Sequence, residues 1–187
     1  MRIVGGRLRG RPLAGPKPGI GSIRPTSDRL RESLFNVLAH AYGETVEGAR
    51  VLDLFAGTGA LGFEALSRGA GFALLVDDGT EARGIIRENQ MALGLAGFSR
   101  IFRRDATKRG PITGMAPFGL VFCDPPYRKG LGEKALISAR EGGWLAPDAL
   151  IVLEEAADAA ISLPEGFEEL ERRGYGETQV VMLQVKE

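Results

Sequence analysis

The stretch VLDLFAGTGALG, residues 51–62, decides how this chain is read. With Arg50 before it, the run RVLDLF has the short apolar pattern of a buried strand, and GALGFEALSRG after it reads as a helix ending at Gly69. Between them Gly57, Gly59 and Gly62 form a G-x-G-x-x-G turn. Strand, glycine turn and helix together let free backbone N–H groups approach the polar part of a nucleoside cofactor. Asp77 follows Gly57 by twenty residues, at the end of the next strand run, where a carboxylate accepts from both ribose hydroxyls. The pattern selects an adenosine-type cofactor without selecting which one.

Asp53 narrows the choice. It stands four residues before Gly57, at the end of the first strand. A pyrophosphate is a poor neighbour for a carboxylate, whereas S-adenosylmethionine brings an ammonium and a sulfonium that a carboxylate attracts. The alternative is that Asp53 only caps the loop through its backbone.

Outward from this unit the pattern repeats. GFALLVDD, SRIFRRD, FGLVFCD and ALIVLEEA read as further strands, with EARGIIRENQMALGL and GEKALISAREGGW as helices between them. Alternation of this kind predicts an α/β, Rossmann-like, doubly wound, mostly parallel sheet. The tail GFEELERRGYGETQVVMLQVKE predicts an antiparallel hairpin at one edge. Upstream, TSDRLRESLFNVLAHAY predicts a helix capped by Thr26 or Ser27, with Leu30, Leu34, Val37, Leu38 and Ala41 on its apolar stripe. Residues 26–187 are expected to form one domain, and residues 1–25 a basic Gly/Pro-rich arm with a short hairpin in RIVGGRLRGRPL.

The zero net charge hides an asymmetry. Residues 1–31 hold eight Lys or Arg against Asp28 alone, so the body is correspondingly acidic. A basic arm containing Arg7, Arg9 and Arg11 suits a phosphate backbone; a solvated tail is the plainer reading. A single cysteine, Cys123, allows no intrachain disulfide, and a single histidine, His40, allows no His/Cys metal cluster. No apolar run reaches a membrane span, and the basic start lacks the apolar block of a secretory signal. A cytoplasmic protein without metal or membrane is expected. Cys123 and Trp144 read as core residues, and His40 as a helix-end cation.

The second informative stretch is GLVFCDPPYRKG, residues 119–130. A strand run ends in Asp124, Pro125, Pro126 and Tyr127. If this strand lies beside the first, Asp124 emerges at the same crevice as Asp53. Methyl transfer to an exocyclic amine on a base needs such a group. That nitrogen's lone pair is delocalised into the ring, and acceptors gripping its hydrogens turn it toward the methyl group. Asp124 and the Pro125 carbonyl are such acceptors, the prolines fix them, and Tyr127 stacks on a flipped base. Arg128 and Lys129 follow and suit phosphates, or are ordinary loop charges.

The two motifs resemble those of class I S-adenosylmethionine-dependent methyltransferases that modify exocyclic amines. With RPTSDRLRESLFNVL, VLDLFAGTGALGFEALSRGA, FCDPPYRKG and GWLAPDALIVLE, nearly the whole chain resembles the RsmD family, which methylates the N2 amine of a guanine in 16S ribosomal RNA. The resemblance implies a cofactor site at Asp53, Phe55, Ala56, Gly57, Thr58 and Gly59. It also implies Asp77 or the adjacent Asp78 on the ribose, and Asp105 on the adenine amine with Ala106 beside it. Arg24 and Thr26 fall near the cofactor or RNA, and Asp124 through Tyr127 form the catalytic motif. The family's second acid, two residues after the strand-two acid, is Gly79 here. Small-subunit ribosomal RNA, also within an assembling particle, is the partner implied, with a monomer favoured. Three other readings stand beside it: an adenine-N6 DNA methyltransferase, an NAD-dependent oxidoreductase, and a non-catalytic RNA-binding module.

Overall fold

A computed structural model describes residues 1–18, 23–43 and 45–186. The elements are α1 (Asp28–Ala41), β1 (Arg50–Leu54), α2 (Ala60–Ser67), β2 (Phe72–Val76), α3 (Thr80–Ala92), β3 (Ser99–Phe102), β4 (Phe118–Cys123), α4 (Leu131–Glu141), β5 (Leu145–Ala156), β6 (Phe167–Tyr175) and β7 (Thr178–Val185). One seven-stranded sheet runs β3-β2-β1-β4-β5-β7-β6. The first five strands are parallel, and β7 and β6 add antiparallel at one edge. The α/β fold with its C-terminal hairpin is therefore the one the sequence predicts.

Alternation along the strands builds two cores. Val51, Leu75, Leu120 and Phe122 face one side, where they meet residues of α1, α2 and α3. Leu52, Leu74, Val121 and Cys123 face the other, where they meet α4 and Trp144. A sheet covered on both faces needs apolar residues at consecutive positions, which is why β1, β2 and β4 read as continuous apolar runs. Trp144 is buried and donates its indole N–H to the Gly110 carbonyl at 2.7 Å.

Three local outcomes differ from expectation. β5 begins four residues earlier than ALIVLEEA, because the pairing with β4 shifts between Phe118 and Leu120 and Asp148 takes a positive φ of 61°. Such an irregularity admits an exposed, proline-containing start to an otherwise buried strand. The stripe of α1 is turned: Arg31, Leu34, Phe35 and Leu38 are its buried residues, and Ser27 is its N-cap, accepting from the Leu30 amide at 3.1 Å. The expected arm hairpin is present, but it is docked on the body and not extended from it. Residues 2–12 form a hairpin closed at Arg2 and Pro12, and Ile3 and Leu13 are buried in the core.

A buried charge cluster holds that hairpin down. Glu64 of α2 accepts from the Val4 and Gly5 amides at 3.0 and 2.9 Å, from Arg31 at 3.1 Å and from Arg68 at 2.9 Å. Arg31 also donates to the Arg2 carbonyl at 2.9 Å and pairs with Asp28. Ser67 continues the docking, accepting from the Leu8 amide and donating to the Gly5 carbonyl. Glu64 and Arg31 are both fully buried. A stripe reading that counts only apolar residues passes over Arg31, although it lies three, four and seven residues from Leu34, Phe35 and Leu38.

Candidate active site

The parallel strands β1, β2 and β4 bring their carboxyl ends to one rim. Phe122 lies opposite Asp53 in the register, so Asp124 emerges just beyond the pair, in the crevice where open α/β sheets bind ligands. A cavity of about 500 Å³ opens there, within the usual range for a small-molecule site. Asp53, Phe55, Ala56, Gly57, Thr58, Asp77, Asp78, Arg24, Thr26, Asp124, Pro125, Pro126, Tyr127 and Lys129 all line it.

The glycine turn is built to close tolerances. Gly59 caps α2 with φ 81°, and a Cβ there would stand 2.5 Å from the Phe63 ring. A Cβ on Gly62 would stand 2.6 Å from Leu75 and 3.2 Å from the Asp53 carboxylate. These contacts press the turn against β1 and fix Asp53, which accepts from the Gly62 amide at 3.0 Å. Asp53 is almost wholly buried, and that burial pushes its carboxyl up to about 8, with the Asp77 charge adding and the Gly62 N–H opposing. Asp77 is tied at both oxygens, accepting from Gly57 at 3.0 Å and from Gly79 at 2.9 Å. Burial raises its carboxyl too, against those two N–H groups. Asp78 is the more exposed of the two acids.

The Asp-Pro-Pro-Tyr end of β4 is equally fixed. Asp124 accepts from the Thr26 hydroxyl at 3.1 Å, and Arg24 stands 3.8 Å from its other oxygen, which has no hydrogen-bond partner among the described residues. Burial and then the neighbouring Glu154 raise the Asp124 carboxyl well above the usual range. Tyr127 hydrogen-bonds Glu154 and Thr178, each at 3.0 Å, and both burial and the Glu154 charge raise its phenol. The ring face expected to receive a base carries the Arg24 guanidinium, 3.5 Å from its centroid.

Other expected site residues lie elsewhere. Asp105 is exposed, is not part of the cavity wall, and accepts from the Thr107 amide and hydroxyl, which lower its carboxyl. Ala106 is buried beside it. β3 ends at Phe102, and the chain beyond turns Asp105 into this local bond. Arg128 has its amide on Glu155 and its guanidinium on Asp158 at 2.9 Å. Arg7 lies 6.0 Å over Phe98, Arg11 donates to the Ala92 carbonyl, and Arg9 is exposed. Arg7 and Arg11 thus lie on the α3 side, and none of the three arginines belongs to the cavity wall. Glu154, Thr178 and Ile23 were not foreseen; Glu154 is the polar end of an apolar strand, and its partner Tyr127 is 27 residues away.

Among the described residues no group of His, Cys, Asp or Glu is placed to hold a metal, and no helix is long and apolar enough to cross a membrane. Cys123 is buried and its thiol is raised by that burial.

Comparison with known proteins bears directly on this rim. Residues 1–184 match the model of the family described as Conserved hypothetical protein 95. Ribosomal RNA small subunit methyltransferase D of Escherichia coli is 42% identical over 84% of this chain and 76% of its own. The protein of the same name from Haemophilus influenzae is 34% identical over 94% of this chain and 89% of its own. The solved structure of YhhF from Escherichia coli superposes with a TM-score of 0.82 at 34% identity, covering 100% of this chain and 98% of that one. The 16S rRNA N2 G1207 methyltransferase RsmC of Thermus thermophilus, solved with AdoMet and guanosine, shares the fold. Its TM-score is 0.64 at 22% identity, over 87% of this chain and 44% of that one.

Proposed function

The chain belongs to the RsmD family, and on that premise we propose that it transfers a methyl group from S-adenosylmethionine to the N2 amine of a guanine in small-subunit ribosomal RNA. The observation that carries this reading is the convergence of Asp53, Gly57 and Asp124 on one cavity wall.

The cavity suits this cofactor by charge. Asp53, Asp77, Asp78, Glu81 and Asp124 outnumber Arg24 and Lys129 around it. That excess attracts an ammonium and a sulfonium and repels a pyrophosphate, which disfavours NAD. Bound S-adenosylmethionine supplies an electrophilic methyl group on a good leaving group, so no strong base is required. Burial holds Asp53 toward its neutral form, and a cation beside it favours the ionised one. Asp77 or Asp78 accepts from ribose hydroxyls, and the glycine turn, whose Gly57 and Gly62 amides hold Asp77 and Asp53, orients these two acids toward the cofactor. Asp124 and the Pro125 carbonyl take the hydrogens of the amine and aim its lone pair. Thr26 fixes Asp124, and Tyr127 supports the base. Holding two reacting groups in line lowers a barrier by about 7–11 kcal/mol at best. The hairpin arginines and Lys129 contact the phosphate backbone, and the partner is ribosomal RNA on its own or within an assembling particle.

The test is labelled methyl transfer from S-adenosylmethionine to small ribosomal subunits lacking the modification, followed by nucleoside analysis. N2-methylguanine is the expected product. N6-methyladenine alone would overturn the base assignment, and thermal stabilisation by NAD but not by S-adenosylhomocysteine would overturn the cofactor.

A further inference from the structure

A second cavity of about 680 Å³ adjoins the first. Arg24, Pro25, Thr26 and Tyr127 line both, so these four residues form the partition between them. Asp124 faces the first cavity and Glu154 the second. Glu154 is 7% exposed; one of its oxygens accepts from the Tyr127 hydroxyl at 3.0 Å, and the described residues give the other no donor. Asp124 likewise has an oxygen without a donor among them. Two adjacent carboxylates thus face the partition with acceptor capacity to spare.

We infer that Glu154 selects guanine, accepting the base's N1–H while Asp124 accepts from the neighbouring N2 amine, with the ring against Tyr127 at the partition and its N1–N2 edge spanning the two cavities. The inference rests on the guanine-N2 reading above. Guanine is the amine-bearing base whose amine is flanked by a ring N–H donor. Adenine sets an N1 lone pair beside its amine, and cytosine an N3 lone pair. A buried carboxylate at that place gains a charge-assisted hydrogen bond from guanine and meets a lone pair on the other two. Burial, and then the neighbouring Glu154, raise the Asp124 carboxyl, and one base edge would bring donors to both acids. Arg24, lying over the Tyr127 ring, moves aside as the base enters.

Small subunits reconstituted with guanine or with 2-aminopurine at the methylated position separate this role from a merely structural one. 2-Aminopurine keeps the reacting amine but presents a lone pair at N1. The wild type should prefer guanine, and Glu154→Gln, whose amide donates to that lone pair, should cut the guanine to 2-aminopurine ratio of kcat/KM by about 10- to 100-fold. S-adenosylhomocysteine affinity should be unchanged, and the ratio is independent of how much of a variant folds. Equal slowing on both substrates would overturn the inference, reducing Glu154 to a prop for Tyr127. So would Tyr127→Phe shifting the ratio as far as Glu154→Gln, since the hydroxyl would then carry the discrimination. A wild type that methylates neither substrate but binds S-adenosylhomocysteine removes the RNA reading, and this inference with it.

Discussion

Glu64 and Asp124 are both carboxylates withdrawn from water, and the chain treats them in opposite ways. Glu64 has two backbone amides and two guanidinium groups on its oxygens. Asp124 has one hydroxyl, an arginine at 3.8 Å, and a second acid beside it. A buried charge with its donors complete ties elements together; a buried charge short of donors is a place where a ligand must supply them. The hairpin dock is therefore structure, and the rim of β1 and β4 is chemistry, although each is a cluster of buried acids and arginines.

Removing a partner should hurt most where satisfaction is complete. Glu64→Ala removes the buried acid from Arg31 and leaves two amides without an acceptor, and should cost about 3–5 kcal/mol of unfolding free energy in urea titrations. A loss below about 1 kcal/mol would show that the hairpin is not held by this charge. Asp124→Asn should do the reverse. It replaces a poorly satisfied acid and should leave stability within about 1 kcal/mol, yet lower single-turnover methyl transfer about a hundredfold or more with little change in cofactor affinity. Equal losses of turnover and affinity would mean that Asp124 holds the cofactor and not the amine.

Asp53 sharpens the contrast through pH. Burial pushes its carboxyl up from an ordinary 3.8 to about 8. Between these values the folded state keeps a proton that the unfolded chain has released, so stability falls as pH rises through the window. Asp53→Asn retains an acceptor for the Gly62 amide and loses the ionisation. Its melting temperature should gain on the wild type from pH 5 to about pH 8 and level off above, by about 2–4 °C for each kcal/mol recovered. A constant difference across that range would show that Asp53 ionises normally. The smallest effect belongs to Arg128 and Asp158, whose side chains are 61% and 72% exposed. Arg128→Ala should change stability by less than about 1 kcal/mol. If Arg128 meets a phosphate, the salt dependence of RNA binding should lose about one unit of slope.

The sheet, the fourth strand beside the first and the shared crevice were legible because they rest on local patterns: apolar runs, a glycine turn, and an acid at the end of a strand. Packing hid what was missed. Arg31 reads as a surface residue until its acceptors, the buried Glu64 among them, are seen. Glu154 gains meaning only when the antiparallel hairpin brings Thr178 and the partition brings Tyr127 to it. Asp105 was placed by resemblance; in the fold it is exposed outside the cavity wall, with one carboxylate oxygen accepting from Thr107. Tyr127 was foreseen as a stacking platform; the arginine lying on it comes from a segment with no periodicity to read.

The most direct test of the account is a crystal structure with S-adenosylhomocysteine bound. The account places its sulfur in the first cavity, beyond Asp53 and facing the Asp124 carboxylate across the gap where a methyl group would lie. A cofactor seated with its sulfur turned away from Asp124, or bound outside the wall shared by residues 53 and 124, would contradict it.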